Sequence, residues 1–205
     1  FVDEIAPLYA DAWRQLDVKY DDFIRTTEDR HKRGVLKLLQ ACYDAGDIEV
    51  DVYRGHYCVA CEAYYVEDEL VDGNCPIHKT KAAYVEEENY FFRLSRFEQR
   101  LLDWYDKHPD AISPNFRRNE VIGFIKGGLN DFSVSRKTLK WGIPLPWDDQ
   151  HVTYVWFDAL SNYITAHGYG TNDQQFAERW PVDWHFIGKD IIRFHCVYWP
   201  AMLMS

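Results

Sequence analysis

Apolar positions in residues 2–16 fall at Ile5, Leu8, Tyr9, Ala12, Trp13 and Leu16. Steps of three and four put them on one face of a helix. Residues 23–26 read as a short extended segment. Thr27, ahead of Glu28, Asp29 and Arg30, suits a helix N-terminus. The helix predicted from there carries Val35, Leu36, Leu38, Leu39 and Tyr43 and stops near Gly46, since glycine accepts the left-handed backbone of a helix end. A strand followed by a helix is the unit of an α/β sheet.

From Ile48 to Tyr90 the period shortens, Tyr and Val dominate, and Asp72-Gly73-Asn74 supplies a turn, so small β-hairpins are predicted. Residues 89–94 are a further strand candidate. Ser95 can cap a helix over Phe97, Leu101, Leu102 and Tyr105 that ends by Pro109, and another helix is predicted over 116–129. After Ser133 comes a Pro- and Trp-rich stretch. A strand over 152–157, a helix opened by Asp158, a strand over 184–188 and a helix over 191–204 complete the reading. α/β patterns at both ends thus flank a β-rich and helical middle. An insertion into an α/β domain explains this best, because three unrelated small domains would each have a thin core.

Composition narrows the function classes. With 205 residues, 47% apolar and 27% charged, the chain has the usual globular mix, which excludes a disordered, collagen-like or disulfide-scaffold protein. No run approaches the roughly eighteen apolar residues of a membrane span. A net charge of −10 argues against a module whose main work is wrapping nucleic acid. The local basic strip Arg117, Arg118 and Lys126 reads as a solvated helix face. The cysteines (Cys42, Cys58, Cys61, Cys75 and Cys196) are odd in number, and the start carries no signal-peptide pattern. Both points favour a reducing, cytoplasmic setting over a secreted disulfide framework. The chain lacks an initiator Met and is expected to be cut from something longer.

Two of the motifs bear on metal chemistry. Cys58-Val59-Ala60-Cys61 and Cys75-Pro76-Ile77-His78 are separated by thirteen residues. Zinc takes four soft or borderline ligands in a tetrahedron, so two such turns can close on one ion from opposite sides. Four protein ligands leave no open position, which makes the predicted zinc structural. The bland alternative is a pair of surface turns with idle thiols. Cys42 and Cys196 lie on apolar helical faces and read as core thiols.

The last third carries several further motifs in order: Ser135-Arg136, Trp141-Gly142-Ile143-Pro144-Leu145-Pro146, Val155-Trp156-Phe157-Asp158-Ala159-Leu160 before Tyr163, His185-Phe186-Ile187-Gly188-Lys189-Asp190-Ile191 before Phe194-His195, and Trp199-Pro200-Ala201-Met202. With the Cys/His spacing upstream, this set resembles the class I methionyl-tRNA synthetases over essentially the whole chain. The resemblance implies part of a Rossmann-type catalytic domain interrupted by a small zinc-binding connective insertion. It points to the bacterial form in which three Cys and one His hold a single zinc. The implied boundaries are residues 1–46 for the end of the first Rossmann half, 47–132 for the insertion and 133–205 for the start of the second half. The family's H-I-G-H and K-M-S-K-S motifs do not occur here, so an internal fragment, inactive by itself, is expected.

The resemblance also implies roles. Trp156, Ala159, Leu160, Tyr163, Ile191, Phe194 and His195 match the family's methionine pocket; Leu160 departs from a Pro found in some members. Gly188 and Asp190 match the stretch that meets the ATP ribose and adenosine, with Lys189 between them, and Arg136 matches an Arg near the substrate. The implied activity is that of a methionine–tRNA ligase: ATP-dependent activation of methionine and its transfer to tRNA, with magnesium accompanying ATP. Taken singly, Trp156 and His195 could equally be core side chains, and Gly188-Lys189-Asp190 an ordinary turn into a helix. Two other classes compete. A non-catalytic zinc-ribbon module binding RNA or protein would show no response to methionine. A class I synthetase for leucine, isoleucine or valine would carry a larger editing insertion, and one for cysteine would keep an open zinc position.

Overall fold

The first apolar stripe forms helix α1 (Val2–Gln15), and none of it is buried. Leu8, Tyr9 and Leu16 stay exposed, and the helix is tied back through an Arg25–Asp3 ion pair at 2.7 Å. Residues 23–26 run without a ladder partner among the described residues, so the strand expected there does not form. Helix α2 (Asp29–Asp44) starts one residue later than the sequence suggests. Its N-cap is Glu28, whose carboxylate accepts from the Arg25 N–H and from Arg30. Gly46 at φ +77° ends it as expected.

The computed structural model describes residues 1–60, 63–65 and 67–205. In place of several small hairpins it has one long ribbon, in which β1 (Ile48–Cys58), with β2 (Ala63–Tyr65) on one side, pairs antiparallel with β3 (Ala83–Phe92) on the other. The ladder runs from Ile48↔Phe92 to Tyr57↔Ala83. Asp72 and Gly73 both take positive φ, and Val71 and Asn74 exchange backbone hydrogen bonds across them. That is the tight turn their sequence predicts.

Beyond the ribbon come a 3-10 turn (Leu94–Phe97), α3 (Glu98–Lys107) and α4 (Asn115–Lys126). Ser95 does not cap α3; its hydroxyl and N–H both donate to Asp131. On α4, Arg117 pairs with Glu120, while Arg118 turns inward to the Tyr105 carbonyl. Strand β4 (Phe132–Ser133) completes the first sheet, in the order β2-β1-β3-β4. A second sheet follows, with β5 (Ser135–Arg136), β6 (Pro144–Leu145) and β7 (Asp148–Thr153) in the order β5-β7-β6. Every described strand pair is antiparallel. The sheets are joined where the Tyr90 N–H donates to Ser135 Oγ and where His151 bridges Asp148 and the Glu88 carbonyl.

The run 152–157, expected as a strand, is split. β7 ends at Thr153, and Tyr154 stays extended with its N–H on the Val134 carbonyl. Its own carbonyl then accepts from Phe157 and Asp158. Helix α5 (Val155–Thr165) therefore begins at once, and Trp156 sits in its first turn rather than on a strand. After α6 (Asp173–Arg179), residues 184–188 form no regular element and pair with no strand among the described residues. The strand expected there is absent because a strand needs a ladder partner for its polar backbone. The helix expected over 191–204 forms, entered through a 3-10 turn (Lys189–Ile191) and widened by a π-type turn (Phe194–Tyr198) that leads directly into α7 (Trp199–Met204).

One hydrophobic cluster underlies these elements. Val35 and Leu39 of α2, Ile48 and Phe92 at the base of the ribbon, Leu101 of α3, Ile125 of α4, Phe157 and Ile164 of α5, and Trp199 and Met202 of α7 all belong to it. The base of the ribbon is thus anchored in the core, whereas Val50 and Val52 further along it are exposed.

Candidate functional site

The first candidate centre lies at the far end of the ribbon. β1 delivers Cys58, and the turn after the Asp72-Gly73 hairpin delivers Cys75 and His78. The three ligand atoms lie within 4.8 Å of one another. His78 Nδ1 is 4.0 Å from Cys58 Sγ and 3.9 Å from Cys75 Sγ. Ligands about 2.3 Å from a tetrahedral zinc stand about 3.8 Å apart, so these three fit such an ion. Cys61, the expected fourth ligand, lies outside the described residues. Burial pushes the Cys75 thiol up, but the His78 N–H, the Tyr65 hydroxyl and the His78 ring outweigh it and hold the thiol down at about 5. Thiolate character at neutral pH is what a metal ligand needs. By contrast, burial pushes the Cys42 and Cys196 thiols up to about 11, in keeping with core positions.

The second centre lies where α5 meets the wide turn. Trp156 and Phe194 stack with ring centroids 3.5 Å apart and planes 8° from parallel. Tyr163 Oη lies 2.6 Å from His195 Nε2, and His195 Nδ1 lies 2.9 Å from the Ile191 carbonyl. A carbonyl only accepts, so Nδ1 carries the proton, and a neutral ring accepts the Tyr163 O–H at Nε2. Burial holds His195 below its usual value, although the Ile191 bond works the other way, and burial raises Tyr163. Both shifts favour this neutral, hydrogen-bonded pair.

The other predicted residues divide. Ala159 and Ile191 are half-buried beside the pair, while Leu160 is enclosed in the core. Gly188, Lys189 and Asp190 are exposed at the start of the 3-10 turn, with Lys189 Nζ 2.5 Å from Asp190. Arg136 is buried on the second sheet; its guanidinium donates to Ser133 Oγ and the Ser135 carbonyl and lies 3.8 Å from the Tyr154 ring centroid.

Residues without a sequence-based role join this centre. The His185 ring meets Tyr163 edge-on at 4.4 Å, and the Trp199 ring approaches it at 6.0 Å. Burial lowers the His185 pKa, helped by His195 and His167 nearby. The only sequence signal for His185 was its position at the head of the stretch that ends at Ile191.

Comparison with known proteins identifies relatives along the whole chain. A family model described as tRNA synthetases class I (M) matches residues 1–87 and 69–205. The methionine–tRNA ligase of Caldanaerobacter subterraneus is 52% identical over 206 aligned residues, and that of Thermotoga maritima 48% over 209. Each alignment takes in the whole chain but only 32% and 33% of those relatives, so the chain spans about a third of the length of the curated relatives it matches. The structure titled as Mycobacterium tuberculosis methionyl-tRNA synthetase in complex with methionyl-adenylate is also similar. It gives a TM-score of 0.90 at 46% identity over 97% of this chain and 40% of that one.

Proposed function

The chain belongs to the family of class I methionyl-tRNA synthetases, and on that premise we propose that it forms the methionine-selecting part of a methionine–tRNA ligase. In the proposed reaction the methionine carboxylate attacks the α-phosphate of ATP, giving methionyl-adenylate and pyrophosphate, and the aminoacyl group then passes to tRNA. No protein nucleophile is required, so the residues act by positioning and by excluding water. Magnesium bound with ATP would offset phosphate charge. We place the reaction in the cytoplasm, where protein synthesis uses charged tRNA.

The observation that carries the reading is the Tyr163–His195 hydrogen bond beside the Trp156–Phe194 stack. Three aromatic rings and a neutral imidazole make an apolar wall with one polar edge. Aromatic edges favour a thioether sulfur by about 0.3–1.5 kcal/mol, and each methylene in such a pocket adds about 1–3 kcal/mol. Ala159 and Ile191 would extend the wall, and Leu160 would back it from the core. Gly188 and Asp190 would meet the ribose and adenosine, with Lys189 and Arg136 in supporting roles.

For the metal, Cys58, Cys61, Cys75 and His78 would hold one zinc, whose role is to tie the ribbon tip together. The division into residues 1–46, 47–132 and 133–205 keeps this knuckle within a connective insertion. The test is methionine-dependent pyrophosphate exchange in the full-length ligase that contains this segment. Trp156→Ala should raise the methionine KM and leave the ATP KM nearly unchanged. His195→Ala should weaken discrimination against analogues lacking the thioether. Unchanged methionine kinetics in both variants would exclude the reading.

A further inference from the structure

His31, on the first turn of α2, is completely buried, yet both of its ring nitrogens are engaged. Nε2–H donates to Asp158 Oδ1 at 2.6 Å, and Nδ1 lies 2.8 Å from Thr165 Oγ1. Both partners are on α5, seven residues apart, which is about 10 Å along a helix axis. One imidazole from α2 therefore holds α5 at two points.

The held face is not the face that carries the aromatic wall. Trp156, Ala159 and Tyr163 follow one another at steps of three and four, and so do Asp158, Ser161 and Thr165. The second set is displaced by two residues, about 200° around the helix, so it lies on the opposite side. Ser161 turns its hydroxyl to the Phe157 carbonyl and leaves the His31 bonds uncontested.

The contact is also too close to slide. Gly34 follows His31 by one turn, and a Cβ there would run into the Thr165 side chain and stand 2.8 Å from the Tyr169 carbonyl. Apolar packing alone would bring the two helices together, but it is non-directional. Two hydrogen bonds in a largely buried seam fix the rotation of α5 as well. The magnitude is sufficient: with side chains reaching about 6 Å from the axis, a rotation of about 10° moves a ring by about 1 Å. A misplacement of that size can cost about 100-fold in a site that works by positioning.

We infer that His31 is a positioning residue for the amino-acid pocket, acting through Asp158 and Thr165 to set the rotation at which α5 presents Trp156 and Tyr163. This rests on the reading of that pocket as the methionine site. His31 and Asp158 then belong to one unit, although 127 residues separate them.

The experiment is pyrophosphate exchange by the full-length ligase, with methionine and ATP varied separately. Asp158→Ala should raise the methionine KM about tenfold and leave the ATP KM within about twofold. Asp158→Asn, which keeps a carbonyl oxygen to accept from Nε2–H, should restore most of the methionine KM. His31→Gln, which can reach only one of the two partners, should fall between them. Asp158 is partly exposed, so its replacement opens no enclosed cavity; if the alanine variant nevertheless fails to fold, the Asn and Gln variants decide. A methionine KM within about twofold of the parent in Asp158→Ala, or in His31→Gln where that variant decides, would overturn the inference. So would equal rises in the methionine and ATP KM values, or no rescue by Asn. Trp156→Ala serves as the reference. If it raises the methionine KM while the Asp158 and His31 variants do not, only the positioning role falls. If it too leaves the methionine KM unchanged, the pocket reading falls with it.

Discussion

The ribbon tip and the α2–α5 seam each gather a few chemically capable side chains, but by different means. At the tip, Cys58, Cys75 and His78 come together at the end of the ribbon, away from the core, and Val50 and Val52 along it face solvent. The third strand there, β2, is only three residues long and brings no core of its own, so the ribbon end depends on what the ligands bind. At the seam, Phe157 and Ile164 of α5 are buried, and His31 and Gly34 close the contact from α2. That region is preorganised by packing. Ligand chemistry can thus stand in for a core at the tip, whereas the aromatic group on α5 takes its precision from the core.

The strongest way to break this comparison is to disable the proposed zinc site. Chelation of the proposed zinc, or Cys75→Ser, should bring amide exchange across residues 67–82 to nearly open-chain rates while α2 and α5 keep their protection. Zinc at such sites contributes about 10–16 kcal/mol to small metal-dependent folds. Equal losses of protection in both regions would refute the contrast.

Next in size, Leu39→Ala should cost about 2–5 kcal/mol in denaturant unfolding through the cavity it leaves. Val52→Thr, on the exposed ribbon, should change stability by no more than about 0.5 kcal/mol. Similar values for the two would mean that the ribbon and the core are not energetically distinct. Gly34→Ala adds one methyl to the closed seam and should cost about 1–3 kcal/mol. Measured alongside it, Gly123→Ala on α4 meets open space and should be neutral or slightly stabilising.

The smallest effect is one of pH. His185 and His195 are held below the usual 6.5, chiefly by burial, so the unfolded chain binds their protons more readily than the folded one. Their contribution is present above about pH 6.5 and is lost as the pH falls below it. Asp131, at the ribbon base, is pushed up by burial but held low overall by Ser95 and Arg93. Its contribution is present above 3.8 and is lost only as the pH falls further. Acid titration followed by amide exchange should therefore loosen α5 and the wide turn before the ribbon base, and the reverse order would contradict these assignments.

What could be read from the sequence follows the same division. The candidate metal ligands stand out locally, because two turns with fixed spacing bring Cys58, Cys75 and His78 together, and the stripes of α1 and α2 are equally local. The run 152–157 misleads because a short apolar run reads alike as strand or buried helix, and the carbonyl of Tyr154 decides where the helix starts. Residues 23–26 and 184–188 look like strands, but a strand exists only where a partner is supplied from far away. The clamp of His31 on Asp158 and Thr165 leaves no pattern in the sequence, since its members are more than 120 residues apart. Trp156, Tyr163 and His195 could be picked out as a set only through the family resemblance.

The wide turn at Phe194–Tyr198 has a consequence for the phase of everything that follows it. A π-type turn holds one residue more than a regular turn does. Deleting one residue within it would give better helical geometry and would rotate the chain beyond it by about 100° relative to the chain before it. Either His195 would swing away from Tyr163, or Trp199 would leave its slot in the core. A shorter segment would make a more regular helix and a worse site, so insertions and deletions here should be far less tolerated than substitutions at exposed positions such as Arg193 or Leu203.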